Sequence, residues 1–194
     1  MNATVGVLAL QGAFAAHAEC LQSLGVATRE IRTPHELAGV DALLMPGGES
    51  STMSQLLESS GLFEAISTRI TQGMPTFGTC AGMILLANEI LDGRDDQRSF
   101  SAIDIAVRRN AFGRQVDSFE ASISTEVGEF HGVFIRAPRI ERVGPGVQVI
   151  GKLGEEPVLV QQGHVLAASF HPELSGDSRL HEYFVTTVSN LGKV

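Results

Sequence analysis

Three short apolar runs in the first half of the chain constrain its fold more than any other feature. Residues 5–10 (Val-Gly-Val-Leu-Ala-Leu) end at Gln11-Gly12, and Ala42-Leu43-Leu44-Met45 ends at Pro46-Gly47-Gly48. The third, centred on Thr76-Phe77-Gly78, runs directly into Thr79-Cys80. None alternates apolar with polar residues, so each predicts a strand covered on both faces, the pattern of a parallel sheet. Helical patterns lie between them. Phe14, Ala18 and Leu21 recur at helical spacing with Gly25 as a stop, and residues 52–72 read as one or two helices broken at Gly61. Val26 to Ile31 supplies a further strand. Strands alternating with helices predict an α/β fold whose sites form where strand C-terminal ends meet the following loops. Pro46 to Ser50 and Gly78 to Gly82 both occupy such positions, so they should share one crevice.

The second half changes character. Phe119-Glu120-Ala121-Ser122-Ile123 alternates, as a half-buried antiparallel strand does. Residues 158–160 and 165–167 flank Gln161-Gln162-Gly163-His164 and predict a hairpin. A closing amphipathic helix carries Leu180, Phe184, Val188 and Leu191 on one stripe. The expected architecture is therefore a mostly parallel central sheet with an antiparallel extension. The 194 residues suit one domain, 1–194, with no repeat, low-complexity tract or linker. Residues 92–100 are expected to form a mobile loop.

Composition narrows the function classes. No apolar run approaches the roughly 20 residues of a membrane span, and the N-terminus lacks a signal-peptide pattern. A net charge of −8 argues against nucleic acid as the main ligand, while leaving room for an anionic substrate held by a few arginines. Two cysteines without a secretion signal predict reduced thiols in the cytoplasm, rather than a Cys20–Cys80 disulfide.

The chemistry centres on Gly78-Thr79-Cys80-Ala81-Gly82. Glycines two positions either side of a nucleophile, between a strand and a helix, are the pattern of a nucleophile elbow. A thiol there lies at a helix N-terminus, whose dipole favours the attacking thiolate. Much later comes Phe170-His171-Pro172-Glu173. Pro172 biases His171 toward extended geometry, which turns Glu173 to the same side. A carboxylate beside the ring would fix its tautomer and stabilise the imidazolium formed when it takes the thiol proton. A Cys elbow with a distant His and an acidic neighbour predicts nucleophilic catalysis on an acyl group. Gly47-Gly48-Glu49 lets backbone N–H groups approach a ligand, as an oxyanion hole requires, although an ordinary turn has the same composition. Arg109 and Arg136 are candidates for substrate or partner contacts, with plain surface charge as the alternative. Cys20, His17, His35, His131, His164 and His181 read as structural, and Cys80, His171 and Glu173 lack the close-spaced ligand pair of a zinc site, so no metal is expected.

Together these segments resemble the class I (triad-type) glutamine amidotransferases, and more narrowly the glutaminase subunits of pyridoxal 5′-phosphate synthases. The resemblance runs nearly end to end. It rests on Leu8 to Phe14 with His17, Pro46 to Met53, Phe77 to Gly82, Arg109 to Gln115, Ser118 to Glu120, Gly132 to Pro138 and Ser169 to Leu174. It implies a flavodoxin-like three-layer sandwich and L-glutamine as substrate. It implies Cys80 as nucleophile, His171 as general base then acid, and Glu173 as the residue orienting His171. By the same resemblance Gly47, Gly48, Glu49, Arg109, Ile135 and Arg136 contact glutamine, and the backbone N–H groups of Gly48 and Ala81 are the oxyanion donors. The implied partner is a (β/α)₈-barrel synthase subunit that consumes the ammonia, with no cofactor on this chain. Two rivals remain: a glutaminase subunit of another pathway, such as histidine biosynthesis, and a non-catalytic subunit that regulates a synthase.

Overall fold

The computed structural model describes residues 3–109 and 118–191. Its first half alternates as β1 (Thr4–Leu8), α1 (Phe14–Ser23), β2 (Ala27–Ile31), α2 (Pro34–Leu37), β3 (Ala42–Met45), α3 (Ser50–Ser59), α4 (Leu62–Thr71), β4 (Thr76–Thr79) and α5 (Ala81–Leu86). Strands dominate thereafter: β5 (Ala87–Ile90), β6 (Ile103–Arg108), β7 (Ser118–Thr125), β8 (Gly128–Ile135), β9 (Arg139–Val143), β10 (Gln148–Leu153), β11 (Glu156–Gln162) and β12 (Val165–Ala168). A 3₁₀ turn (Pro172–Leu174) and α6 (Arg179–Tyr183), which runs on as a π-helical turn over Phe184–Val188, complete the described chain.

Nine strands form one sheet in the order β2-β1-β3-β4-β12-β11-β10-β7-β8. The β2-β1-β3-β4-β12 half is parallel, and every pairing from β12 outward to β8 is antiparallel. β3, β4 and β12 are buried at every residue. Their successive side chains serve opposite faces, as the period of a strand dictates. Leu43 and Met45 join Met53, Leu57, Ile66 and Leu85 of α3, α4 and α5 in one core. Leu44 and Phe77 join Leu21 of α1 and Leu180 and Phe184 of the C-terminal helix in the other. Helices on both faces of a sheet give the expected three layers.

The expected break at Gly61 is present: Gly61 takes φ 73°, ending α3 and admitting α4. The expected hairpin of β11 and β12 turns through Gly163 at φ 56°. A second, three-stranded sheet, β5-β6-β9, has no counterpart in the sequence reading. By sequence the apolar run Met83–Ala87 is helix-like throughout, but α5 passes straight into β5 at Ala87. Residues 92–100 are not a free loop either. Phe100 stacks on Phe63 with ring centroids 4.5 Å apart, and the Arg98 guanidinium lies 3.8 Å from the Phe63 centroid while pairing with Glu58 and Glu64.

The elbow glycines act through close approach, and neither has a positive φ. A Cβ on Gly82 would stand 2.2 Å from the Met45 carbonyl oxygen, and one on Gly78 would stand 2.6 Å from the Gly82 carbonyl carbon. Strand β4, helix α5 and strand β3 are therefore in backbone contact. Gly82→Ala should destabilise the fold by about 1–3 kcal/mol, because backbone atoms cannot swing aside. Thermal unfolding would check this, at about 2–4 °C of midpoint per kcal/mol for a chain of this size; an unchanged midpoint would mean that α5 withdraws from β3 at no cost.

Candidate active site

Three neighbouring parallel strands end at one place. β3 leads into Gly47-Gly48-Glu49, β4 delivers Cys80, and β12 continues through Ser169-Phe170 to His171. The exits are fixed by backbone hydrogen bonds: Cys80 N–H donates to Ala168 at 2.8 Å, and His171 N–H donates to Val133 of β8 at 2.8 Å. The two motifs that the sequence placed in one crevice do share it, and the ends of β6 and β8 supply its outer wall.

Cys80 takes φ 50° and ψ −106° as the residue immediately before α5. Such a backbone conformation costs on the order of 1–3 kcal/mol in a non-glycine residue and persists only where surrounding packing enforces it. It lifts the thiol out of the strand direction, with Sγ 3.9 Å from the Ile135 carbonyl oxygen. His171 stands beside Cys80 in the cleft, where a Cβ on Gly47 would touch both, and on its other side its Nδ1 lies 2.8 Å from Glu173 Oε1. Burial draws the His171 imidazole down. Interaction with Cys80 and with Glu173 outweighs it and raises the ring to about 10. The Glu173 side chain is fully buried. Cys80, His171 and Glu173, joined from sequence alone, are thus one connected group.

The cleft above them has a volume of ≈ 270 Å³. Cys80, His171, Gly47 and Gly48 line its floor, while Glu49, Arg109, Ile135 and Arg136 line its sides. A Cβ on Gly47 would stand 2.4 Å from His171 Cε1 and 3.4 Å from the Cys80 Cβ, so only glycine leaves room there. Glu49 caps α3, accepting from the N–H groups of Ser51 (3.1 Å) and Thr52 (2.8 Å). Partial burial pushes its carboxyl up, but the hydrogen bonds from Thr52 and Ser51 outweigh it and hold the group below its ordinary range. Arg109 reaches the cleft from the end of β6. Its Nη1 donates to Ser51 Oγ at 2.6 Å and to Gln97 Oε1 at 3.1 Å, and lies 3.8 Å from Glu49 Oε1. Arg136 takes φ 42° just after β8. Ala81, the first residue of α5, is buried beneath Cys80. Residues 110–115 of the segment quoted around Arg109 lie outside the described residues. Among the described residues no group of His, Cys, Asp and Glu is arranged to hold a metal ion, and no helix is long and apolar enough to cross a membrane.

Several contributors carry no individual signal in the sequence. Gln11 Oε1 accepts from the Glu49 N–H at 3.1 Å, and a Cβ on Gly12 would overlap the Gly47 carbonyl oxygen at 1.7 Å, so the turn after β1 braces the Gly47-Gly48 peptide. Ser51 and Gln97 hold Arg109. His17, structural by its sequence context, is fully buried against Glu173, with Thr79 and His181 around it. Its spacing with Phe14 and Leu21 places it on the helix's buried stripe, and it is among the residues that carry the resemblance, but neither signal names its partners.

The chain matches the SNO glutamine amidotransferase family over residues 7–190. It is 55% identical over 192 residues to the protein of Salinispora arenicola (strain CNS-205) named pyridoxal 5′-phosphate synthase subunit PdxT, covering 95% of this chain and 96% of that one. A protein of the same name from Thermus thermophilus is 54% identical over 187 residues, covering 95% and 97%. A crystal structure described as a glutamine amidotransferase superposes with a TM-score of 0.91 at 49% identity, covering 96% of this chain and 98% of the other. The structure of PurLQS from Thermotoga maritima, at 13% identity and a TM-score of 0.71, covers 96% of this chain and 99% of that one and shares the fold. With the cleft and its cysteine described, and the match extending over nearly all of the chain, this protein belongs to the SNO glutamine amidotransferase family.

Proposed function

We propose that this chain, as one glutaminase domain, hydrolyses L-glutamine to L-glutamate and ammonia through Cys80, His171 and Glu173, and passes the ammonia to a (β/α)₈-barrel synthase subunit that makes pyridoxal 5′-phosphate. The observation that carries the reading is the Glu173–His171 hydrogen bond beside a cysteine held at φ 50° in the same cleft. The names of the relatives support the vitamin B6 assignment over a glutaminase of another pathway. The presence of Cys80 and His171 side by side in the cleft speaks against a purely regulatory subunit. Two unpaired cysteines agree with a cytoplasmic setting.

Glutamine would lie with its carboxamide over Cys80. Its α-ammonium would face Glu49, a carboxylate held in its charged form, and its α-carboxylate would face Arg109 and Arg136, against Ile135. The Cys80 thiolate attacks the side-chain carbonyl carbon, and charge develops on the carbonyl oxygen. The N–H groups of Gly48 and Ala81 receive that oxyanion, a class of contact worth about 10²–10³ in rate per donor. The C–N bond then breaks as His171 gives its proton to the leaving nitrogen, releasing ammonia and leaving a γ-glutamyl thioester. Water next attacks the thioester while His171 takes a proton from it. The C–S bond breaks, freeing glutamate and the thiolate. Glu173, fixed on Nδ1, keeps the working nitrogen of His171 turned toward Cys80 throughout. Gln11 and Gly12 brace the Gly47-Gly48 peptide, so a synthase docked over the cleft mouth can control the oxyanion donor. We read docking as the step that brings this peptide into its donating orientation.

Ammonia release from glutamine, measured with and without the synthase subunit, tests the reading. Strong stimulation by the partner and loss of release in Cys80→Ala are expected; release that survives in Cys80→Ala removes the nucleophile assignment, and full turnover by the free chain removes the docking control. The pH profile gives a second check. Because His171 is raised to about 10, the proton it donates is present below that pH and is lost as pH rises through it. The alkaline limb of glutamate formation should therefore lie high in the wild-type protein. Glu173→Gln removes one of the raising contacts, so the limb should move to lower pH, with turnover falling by up to about 10⁴-fold. A limb that stays in place would separate Glu173 from the titration of His171.

A further inference from the structure

The catalytic carboxylate has two oxygens, and only one is accounted for by His171. Oε1 of Glu173 lies 2.8 Å from His171 Nδ1, whereas Oε2 is buried with no aligned hydrogen-bond donor. A fully buried carboxylate oxygen left this way is costly, and it leaves the carboxylate plane free to rotate away from the ring it orients. The nearest compensating group is His17 of α1. Its Nε2 stands 3.2 Å from Oε2, with both side chains fully buried, and 3.2 Å from Thr79 Oγ1. The separation is within ion-pair range although the ring N–H is aligned on the threonine hydroxyl. Thr79 is the residue before the nucleophile.

A second histidine decides the tautomer. His17 Nδ1 lies 2.9 Å from His181 Nε2 of α6, and His181 Nδ1 is buried without a partner. One arrangement puts the His17 proton on Nδ1. A nitrogen lone pair then faces the carboxylate oxygen, and an N–H of His181 is stranded in the core. The other puts it on Nε2: His181 donates from Nε2 to His17 Nδ1, His17 directs its Nε2–H at Thr79 and Glu173, and the stranded atom is only an acceptor. Buried donors without partners are the rarer and more expensive case, so the second arrangement wins.

Both rings are neutral. Burial, followed by the neighbouring His181 and His171 rings, holds His17 well below its ordinary range, and burial takes His181 down to about 4. Besides His171, Cys20, one turn further along α1, senses the carboxylate: its thiol is pushed up by burial, then by Glu173 and Glu19.

Resting on the Cys80–His171–Glu173 reading, we propose that His17 is a positioning residue for this site: its Nε2–H, with the tautomer set by His181, braces the outer oxygen of Glu173 and ties it to Thr79 at the base of the elbow. The unit that orients His171 is thus a run of side chains from α6 through α1 to the turn after β12.

The tautomer can be read in the unmodified protein by two-bond ¹H–¹⁵N correlation spectroscopy of its histidines. A His17 proton on Nε2 is required, and one on Nδ1 overturns the proposal. Variants supply the functional test. His17→Leu removes the donor, and His17→Gln, of similar size, places an amide N–H near the Nε2 position. In the synthase complex His17→Leu should lower kcat by about 10- to 100-fold, the usual cost of losing an outer support of a catalytic group, with KM for glutamine little changed. It should also move the alkaline limb to lower pH, as Glu173→Gln does. His17→Gln should recover most of both. Equal loss in the two variants, or a kcat loss with the limb unmoved, overturns the positioning role and leaves His17 as packing. If His17→Leu does not fold, the tautomer and the His17→Gln profile decide. Failure of the underlying reading has a different signature, since wild-type protein would then show no Cys80-dependent glutaminase activity at all.

Discussion

The approach of helix α5 to strand β3 governs this molecule. Gly82 lies so near the Met45 carbonyl that no side chain fits between them, and Gly78 meets Gly82 in the same way across the elbow. With the helix start fixed there, the chain has little room to pass from β4 into α5, and Cys80 absorbs the turn through its positive φ. The apolar helix after it keeps the strain from relaxing: Met83, Leu85 and Leu86 are fully buried in the same core as Leu43 and Met45. Packing of glycines and aliphatic side chains thus sets the direction of the thiol.

From that fixed point the chemistry follows by adjacency in the sheet. β3 and β12 flank β4, so the loops after them necessarily stand beside Cys80. One brings the Gly47-Gly48 peptide and the other brings His171. The charges on the cleft wall come from elsewhere, with Arg109 at the end of the small sheet and Arg136 at the end of the antiparallel extension. Cys80 and His171 therefore follow from fully buried strands, while the charged groups of the cleft sit on the periphery. Burial at the centre raises the cost of every polar atom there, and the Glu173 carboxylate lies between His171 and His17.

Much of this could be read from residues alone, for identifiable reasons. Unbroken apolar runs ending in glycine located β1, β3 and β4, because a strand buried on both faces leaves no other pattern. The cysteine between two glycines and the His-Pro-Glu triplet carried their geometry in short local spacings. The small sheet was missed because β5 continues an apolar helix without any turn residue between Leu86 and Ala87. The anchoring of residues 92–100 was missed because a polar stretch gives no hint that Arg98 will lie over Phe63. His17 carries the general lesson. A histidine on an apolar helical stripe announces burial, but its partners Thr79, Glu173 and His181 come from three distant parts of the chain, and no spacing rule connects them.

The position of β12 has a consequence for how the protein comes into being. Thr76 pairs with Leu43 on one side and with Val165 on the other, so the central strand waits for a neighbour encoded near the end of the chain. Pairings so distant in sequence delay folding, because the intervening loop must close before any contact rewards it. During synthesis the cysteine leaves the ribosome long before the histidine, and nothing can align the two until β11 and β12 have turned back into the sheet. The thiol-bearing half consequently precedes His171 by nearly half of the chain. The cleft is complete only once β12 has joined β4.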